Sequence, residues 1–96
     1  MDEIDWLILD VLADDMKDFT SIARHLAYCK ITMENDAVKK RIVFLWEKGF
    51  IEIAYPEHMT ICDADFDFSW FGMSPKGRNN WGNYARDIKS IANHPI

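Results

Sequence analysis

The chain has 96 residues, 49% hydrophobic and 14% aromatic, with a formal net charge of −5 at pH 7. Such a length fits one domain with one core, residues 1–96, and the apolar content excludes a chain disordered throughout. An acidic balance also argues against indiscriminate binding to polyanions.

The mean charge hides a segregation. Residues 1–19 hold seven acids against one Lys, and residues 55–72 hold four acids with no Lys or Arg. Residues 20–54 and 73–96 are net positive, at +2 and +3, so contacts to an anion are expected from these two blocks. The longest apolar runs fall far short of the roughly 18 residues that a membrane-spanning helix needs. The start "MDEIDW" lacks the basic stretch of a signal peptide, and the reading is of a cytoplasmic protein without membrane contact. Cys29 and Cys62 belong to no metal-binding or disulfide pattern and are read as reduced thiols. The spacing of His58, Cys62, Asp63, Asp65 and Asp67 fits neither a calcium loop nor a zinc motif. No metal and no cofactor is expected.

In "DEIDWLILDVLADD", Ile4, Leu7, Ile8, Val11 and Leu12 recur at the spacing of one helix face, and Asp2, Glu3 and Asp5 complement the dipole of the first turn. Asp14 and Asp15 oppose the other end, so this helix should stop near Ala13. "FTSIARHLAYC" predicts a short second helix, capped by Thr20 or Ser21, with Ile22, Ala23 and Leu26 on one face. A third helix is predicted from about Glu34 to Lys48, capped by Thr32 or Asn35 and stopped at Gly49. Val38, Ile42, Leu45 and Trp46 mark its buried side, while Asp36, Lys40, Phe44 and Glu47 point away.

"FIEIAY" then alternates as a strand with Ile51, Ile53 and Tyr55 on one face, and Pro56 ends it. "FDFSWFGM" alternates Phe66, Phe68 and Trp70 against Asp67 and Ser69, so the two runs should pair as an antiparallel hairpin. Ser74 and Pro75 open a last helix, about 75–92, as cap and first residue. Gly77 and Gly82 place its firm part nearer Trp81. The fold class is therefore mainly α with a small β-hairpin (α+β), in the order α-α-α-β-β-α.

Certain motifs also resemble a known family. "DEIDWLILDVL", "TSIARHL", "AVKKRIVFLWEKGFIEI" and "FGMSPKGRNNW" resemble, in turn, the first helix, second helix, recognition helix with first wing strand, and post-wing helix of winged helix-turn-helix proteins of the MarR-like and Lrp/AsnC types. The resemblance implies a small DNA-binding transcriptional regulator, with the third helix in the major groove of double-stranded DNA. It implies contacts from Asn35, Lys39, Lys40 and Arg41 on that helix, with Lys40 most outward. It further implies phosphate contacts from Thr20, Ser21 and Arg24, from Lys30 in the turn, and from Lys76 and Arg78 beside the last helix. The 16 positions from Ile22 to Val38 are roughly five more than a compact helix-turn-helix allows, which predicts an extended second helix or turn.

Read without the resemblance, the Lys39-Lys40-Arg41 run is a solvated face, with Arg41 paired to Glu34 or Glu47. Asp63, Asp65 and Asp67 make the wing acidic, so the wing tip is not expected to touch DNA and is open to a protein partner. Val43, Phe44 and Trp46 stand where the family carries polar residues, and predict a surface covered by the last helix, by the wing or by a second copy. Trp81, Tyr84, Ile88 and Ile91 form the candidate dimer stripe, making the last helix a packing or dimerisation element of a homodimer. Neither phosphate-loop, serine-elbow nor zinc-protease motifs occur, and His25, His58 and His94 are scattered, so an enzyme is not expected. The alternative is a winged-helix protein-interaction module whose acidic first helix and wing bind a basic partner without DNA.

Overall fold

The computed structural model describes residues 2–55, 66 and 68–92, with side chains to residue 85. It is mostly helical with a small three-stranded antiparallel sheet. The elements are α1 (Glu3–Leu12), β1 (Lys17–Asp18), α2 (Phe19–Tyr28), α3 (Asn35–Glu47), β2 (Ile51–Tyr55), β3 (Trp70–Met73) and α4 (Pro75–Ala92).

Asp2 caps α1 through a reciprocal pair: its carboxylate accepts from the Asp5 N–H and the Asp5 carboxylate accepts from the Asp2 N–H, each at 3.2 Å. The helix closes at Ala13 as expected. Its most buried stripe is Asp5, Ile8, Leu9 and Leu12. Ile4, Leu7 and Val11 are half-buried, so the inward face is rotated toward Asp5 and Leu9. Periodicity underweights such a position, because a carboxylate is scored as outward whatever its neighbours provide.

α2 starts one residue earlier than Thr20, and its cap is Asp18, whose Oδ1 accepts from the Ser21 N–H at 2.8 Å. This corrects the expected Thr20 or Ser21 cap. α3 is preceded by Glu34, which makes no side-chain capping bond, in place of the expected Thr32 or Asn35. The extra length between the two helices lies in residues 29–34.

Phe19, Ile22 and Leu26 of α2 meet Val38, Ile42 and Leu45 of α3 and the α1 stripe in one core. Burying a Leu or Ile side chain contributes roughly 1.5–3 kcal/mol each, which makes this the main source of stability.

The sheet adds Ile51, Phe71 and Met73 to that core. Its strand order is β1-β3-β2, so the sequence-based hairpin gains a two-residue strand that alternation cannot reveal. Among the described residues the second run pairs from Trp70 onward, and Phe71 and Met73, rather than Phe68 and Trp70, point inward. Ile51 pairs with Met73 and Ile53 with Phe71, and a register shift before Tyr55 sets that residue opposite Trp70. The added residue turns Tyr55 outward, against the plain alternation that put it inward with Ile51 and Ile53.

α4 is helical from Pro75, earlier than its glycines suggest. The Ser74 hydroxyl accepts from the Gly77 N–H at 3.0 Å and donates to the Gly49 carbonyl. Gly77 is required by close approach: a Cβ there would lie 1.9 Å from the Phe50 carbonyl oxygen. Among the described residues no helix is long and apolar enough to cross a membrane.

Candidate nucleic-acid interface

Asn35 opens α3 and is exposed, and Lys40 is exposed at the middle of the helix. The spacing that buries Val38, Ile42 and Leu45 forces Lys40 outward. It also sends Asp36, one turn before, and Glu47, two turns after, to the same exposed side. Lys39 is half-buried, its ammonium 5.3 Å from the Phe19 ring and 5.7 Å from the Phe66 ring. The two rings meet edge to face at 5.9 Å, so Lys39 is held against an aromatic pair while its charge stays near the surface.

Arg41 points elsewhere. Its Nη2 lies 2.7 Å from Asp2 Oδ2 and its Nη1 3.5 Å from Asp5 Oδ2, which joins the start of α1 to the middle of α3. The partners are α1 acids and not Glu34 or Glu47. Asp5 is 1% exposed, and its Oδ1 has no hydrogen-bond partner among the described residues. Burial pushes the Asp5 carboxyl above its ordinary value, partly countered by the Asp2 N–H and the Arg41 charge.

On α2, Thr20 and Arg24 are exposed one turn apart, and Ser21 is half-buried with its N–H held by Asp18. The Ser21 hydrogen bonds hold the Asp18 carboxyl below its ordinary value. An open hollow of about 310 Å³ lies beside this face, lined by Val11, Lys17, Ser21, Arg24, His25 and Tyr28. Lys17 and Tyr28 were missing from the sequence-derived set, although 17, 21, 24 and 28 follow helical spacing. The Cys29 thiol lies 3.7 Å from His25 Nε2. Lys30 is exposed in the turn after α2, with φ of 64°.

Lys76 and Arg78 are placed at helix ends. Lys76 Nζ donates to the Lys48 carbonyl at 2.8 Å and sits 4.9 Å from the Phe50 ring. Both terminal nitrogens of Arg78 lie 3.5 Å from the Ala13 carbonyl. Each cation meets carbonyls left over at a helix C-terminus.

Val43, Phe44 and Trp46 are half-buried and pack against the core of their own chain. Two residues of the expected dimer stripe face α1: Trp81 Nε1 donates to Asp10 Oδ1 at 3.1 Å, and Tyr84 stacks on Trp6 with ring centroids 4.3 Å apart. Ile88 and Ile91 lie within α4, with side chains outside the described residues, as are Asp63, Asp65 and Asp67 of the expected wing tip.

Asn35, Lys39 and Lys40 thus sit on the front half of α3, and Thr20, Arg24 and Lys30 on or just after α2, whereas Arg41, Lys76 and Arg78 are engaged within the fold. Of these, Lys40, Arg24 and Lys30, the Thr20 hydroxyl and the Asn35 amide are exposed and suit a polyanion. The chain matches no family model, no curated protein and no solved structure.

Proposed function

We propose that the protein is a winged helix-turn-helix DNA-binding regulator, with α3 entering the major groove and β2 and β3 framing the wing. The observation that carries this reading is the front half of α3, where Asn35 and Lys40 are exposed while Val38, Ile42 and Leu45 fix the helix to the core. A helix held this way presents polar side chains to base edges, and Thr20, Arg24 and Lys30 supply backbone phosphate contacts. Arg41, Lys76 and Arg78 drop out of the contact set because their charges serve α1 and α3.

Binding to mixed-sequence duplex DNA, titrated with salt, tests this. At about 50 mM salt the protein should bind, and the Lys40→Ala/Arg24→Ala double variant should show a salt slope shallower by about 2. No binding at that salt, or an unchanged slope in the variant, overturns the reading. A homodimer joined through α4, with Ile88 and Ile91 at the contact, belongs to the same proposal. A sedimentation mass of one chain at the binding concentrations rules that dimer out.

A second reading is favoured by Asp36 and Glu47, which share the exposed side of α3 with Lys40. Alternating signs on that surface suit a protein partner better than phosphates, giving a winged-helix interaction module that does not touch DNA. The same titration separates the two.

A further inference from the structure

The hollow of about 310 Å³ is walled by three elements: Val11 of α1 and Lys17 of β1 stand against Ser21, Arg24, His25 and Tyr28 of α2. The four α2 residues share a face because they recur at helical spacing. Lys17 comes from a different element and is held there by the pairing of β1 with β3, where it lies opposite Phe71. The volume falls at the small end of the range for small-molecule sites.

The charges that line the hollow have one sign. Lys17 and Arg24 are fixed cations and His25 adds a nitrogen group, and none of the three forms an ion pair among the described residues. Acids lie close by in the chain, but none lines the hollow. The Asp10 carboxylate accepts from Trp81 Nε1, that of Asp15 from the Met16 N–H, and that of Asp18 from the Ser21 N–H. Arg24 is the weakest of the influences on Asp18, behind Ser21, so its guanidinium is not spent there.

We propose that this hollow binds a small organic phosphate monoester. Such a group carries a charge near −2 at neutral pH and three strong acceptor oxygens, which the Lys17 ammonium, the Arg24 guanidinium and the Tyr28 hydroxyl can meet as donors. Val11 and the ring of Tyr28, a residue 86% exposed, supply carbon surface for the organic part. A backbone phosphate of DNA carries a single charge and has no use for a concavity with apolar walls. The site is separate from the α3 surface and shares only Arg24 with the proposed DNA contacts.

The test uses the whole chain, isotope-labelled and followed by NMR of its backbone amides, with phenyl phosphate as the probe and inorganic phosphate and phenol as comparisons. Phenyl phosphate should cause saturable shifts at Lys17 and across residues 21–28, and phenol none. Affinity should be about fivefold or more weaker in Lys17→Ala and in Arg24→Ala, and unchanged in Lys40→Ala on α3. Phenyl phosphate should bind about threefold or more tighter than inorganic phosphate, an advantage lost in Tyr28→Ala. Unchanged urea midpoints establish that the variants fold; if Lys17→Ala lowers its midpoint, the exposed Arg24 and Tyr28 positions decide the matter. No saturable shift, equal affinity of the Arg24 variant, or shifts confined to α3 overturns the proposal. Equal affinity for the two phosphates overturns it too, as binding of a bare ion. Duplex DNA that shifts the Lys17 and Tyr28 signals as strongly as the ester assigns the hollow to backbone phosphate and also overturns it. Ester binding that persists in a chain with no affinity for DNA supports the proposal and sinks the DNA reading alone.

Discussion

The second and third helices end in the same kind of turn built from different residues. After α2, the Lys30 N–H donates to the Ala27 carbonyl and the Ile31 N–H to the Leu26 carbonyl; after α3, Gly49 and Phe50 repeat the pattern on Trp46 and Leu45. Both turns need a left-handed residue, with φ of 64° at Lys30 and 82° at Gly49. Gly49 adopts it freely, and its carbonyl accepts from the Ser74 hydroxyl; a Cβ there would make only ordinary contact with the Lys76 side chain, at 3.6 Å, so the left-handed φ is what favours glycine. Lys30 adopts it at a cost of roughly 1–2 kcal/mol relative to glycine and keeps a cation exposed. The end of α3 is therefore a joint between elements, and the end of α2 is a surface turn whose side chain is free for other work.

The joint is the harder of the two to alter. Gly77→Ala would drive a methyl into the Phe50 carbonyl, and unfolding in urea should show a loss of about 3 kcal/mol or more. Gly82→Ala, with open space around its site, should instead gain about 0.5–1 kcal/mol from helix propensity. Equal effects of the two substitutions would mean that α4 does not press on the α3 joint.

Next in size is the pair of left-handed positions. Lys30→Gly should raise stability by about 1 kcal/mol and Gly49→Ala should lower it by about as much or more. If Lys30 grips phosphate, the same Lys30→Gly variant binds duplex DNA more weakly although it is more stable, a split that a purely structural role would not produce.

The smallest effect concerns pH, and here α1 and α2 respond with opposite signs. Asp5 in the folded chain has its carboxyl raised above 3.8, so the folded state binds its proton more tightly than the unfolded chain. Stability from this group is greatest below that value, falls as pH rises through the folded value and is flat beyond it. Asp18 is lowered from 3.8, so its contribution is present above that value and is lost as pH falls through the folded value. Urea midpoints measured from acid to neutral pH should show Asp5→Asn gaining on the parent chain as pH rises and Asp18→Asn losing on it. Parallel curves for both variants would remove the difference.

The three core helices were legible because each buries residues at i, i+3 or i+4, and a stripe such as Val38, Ile42 and Leu45 needs no knowledge of its partners. Lys40 was legible for the same reason, as the residue opposite that stripe. Arg41 was not, because its partners Asp2 and Asp5 lie more than thirty positions away and reach it only when α1 crosses α3. Nor were Lys76 and Arg78, whose acceptors are carbonyls of other helices.

By itself the sequence determined the helices, the stop at Gly49, the antiparallel pairing of the two apolar runs and the separation of charge into blocks. These are local properties, set by spacing along one segment and by the backbone preferences of Gly, Pro and Ser. Tertiary structure alone decided which cations are tied to groups of other elements, that β1 completes the sheet, and that the aromatics Tyr55, Phe68 and Trp70 face water. The physical reason is that cross-chain ion pairs, the two-residue pairing of β1 and the register shift before Tyr55 depend on which distant groups meet, and no pattern within a single segment encodes that meeting.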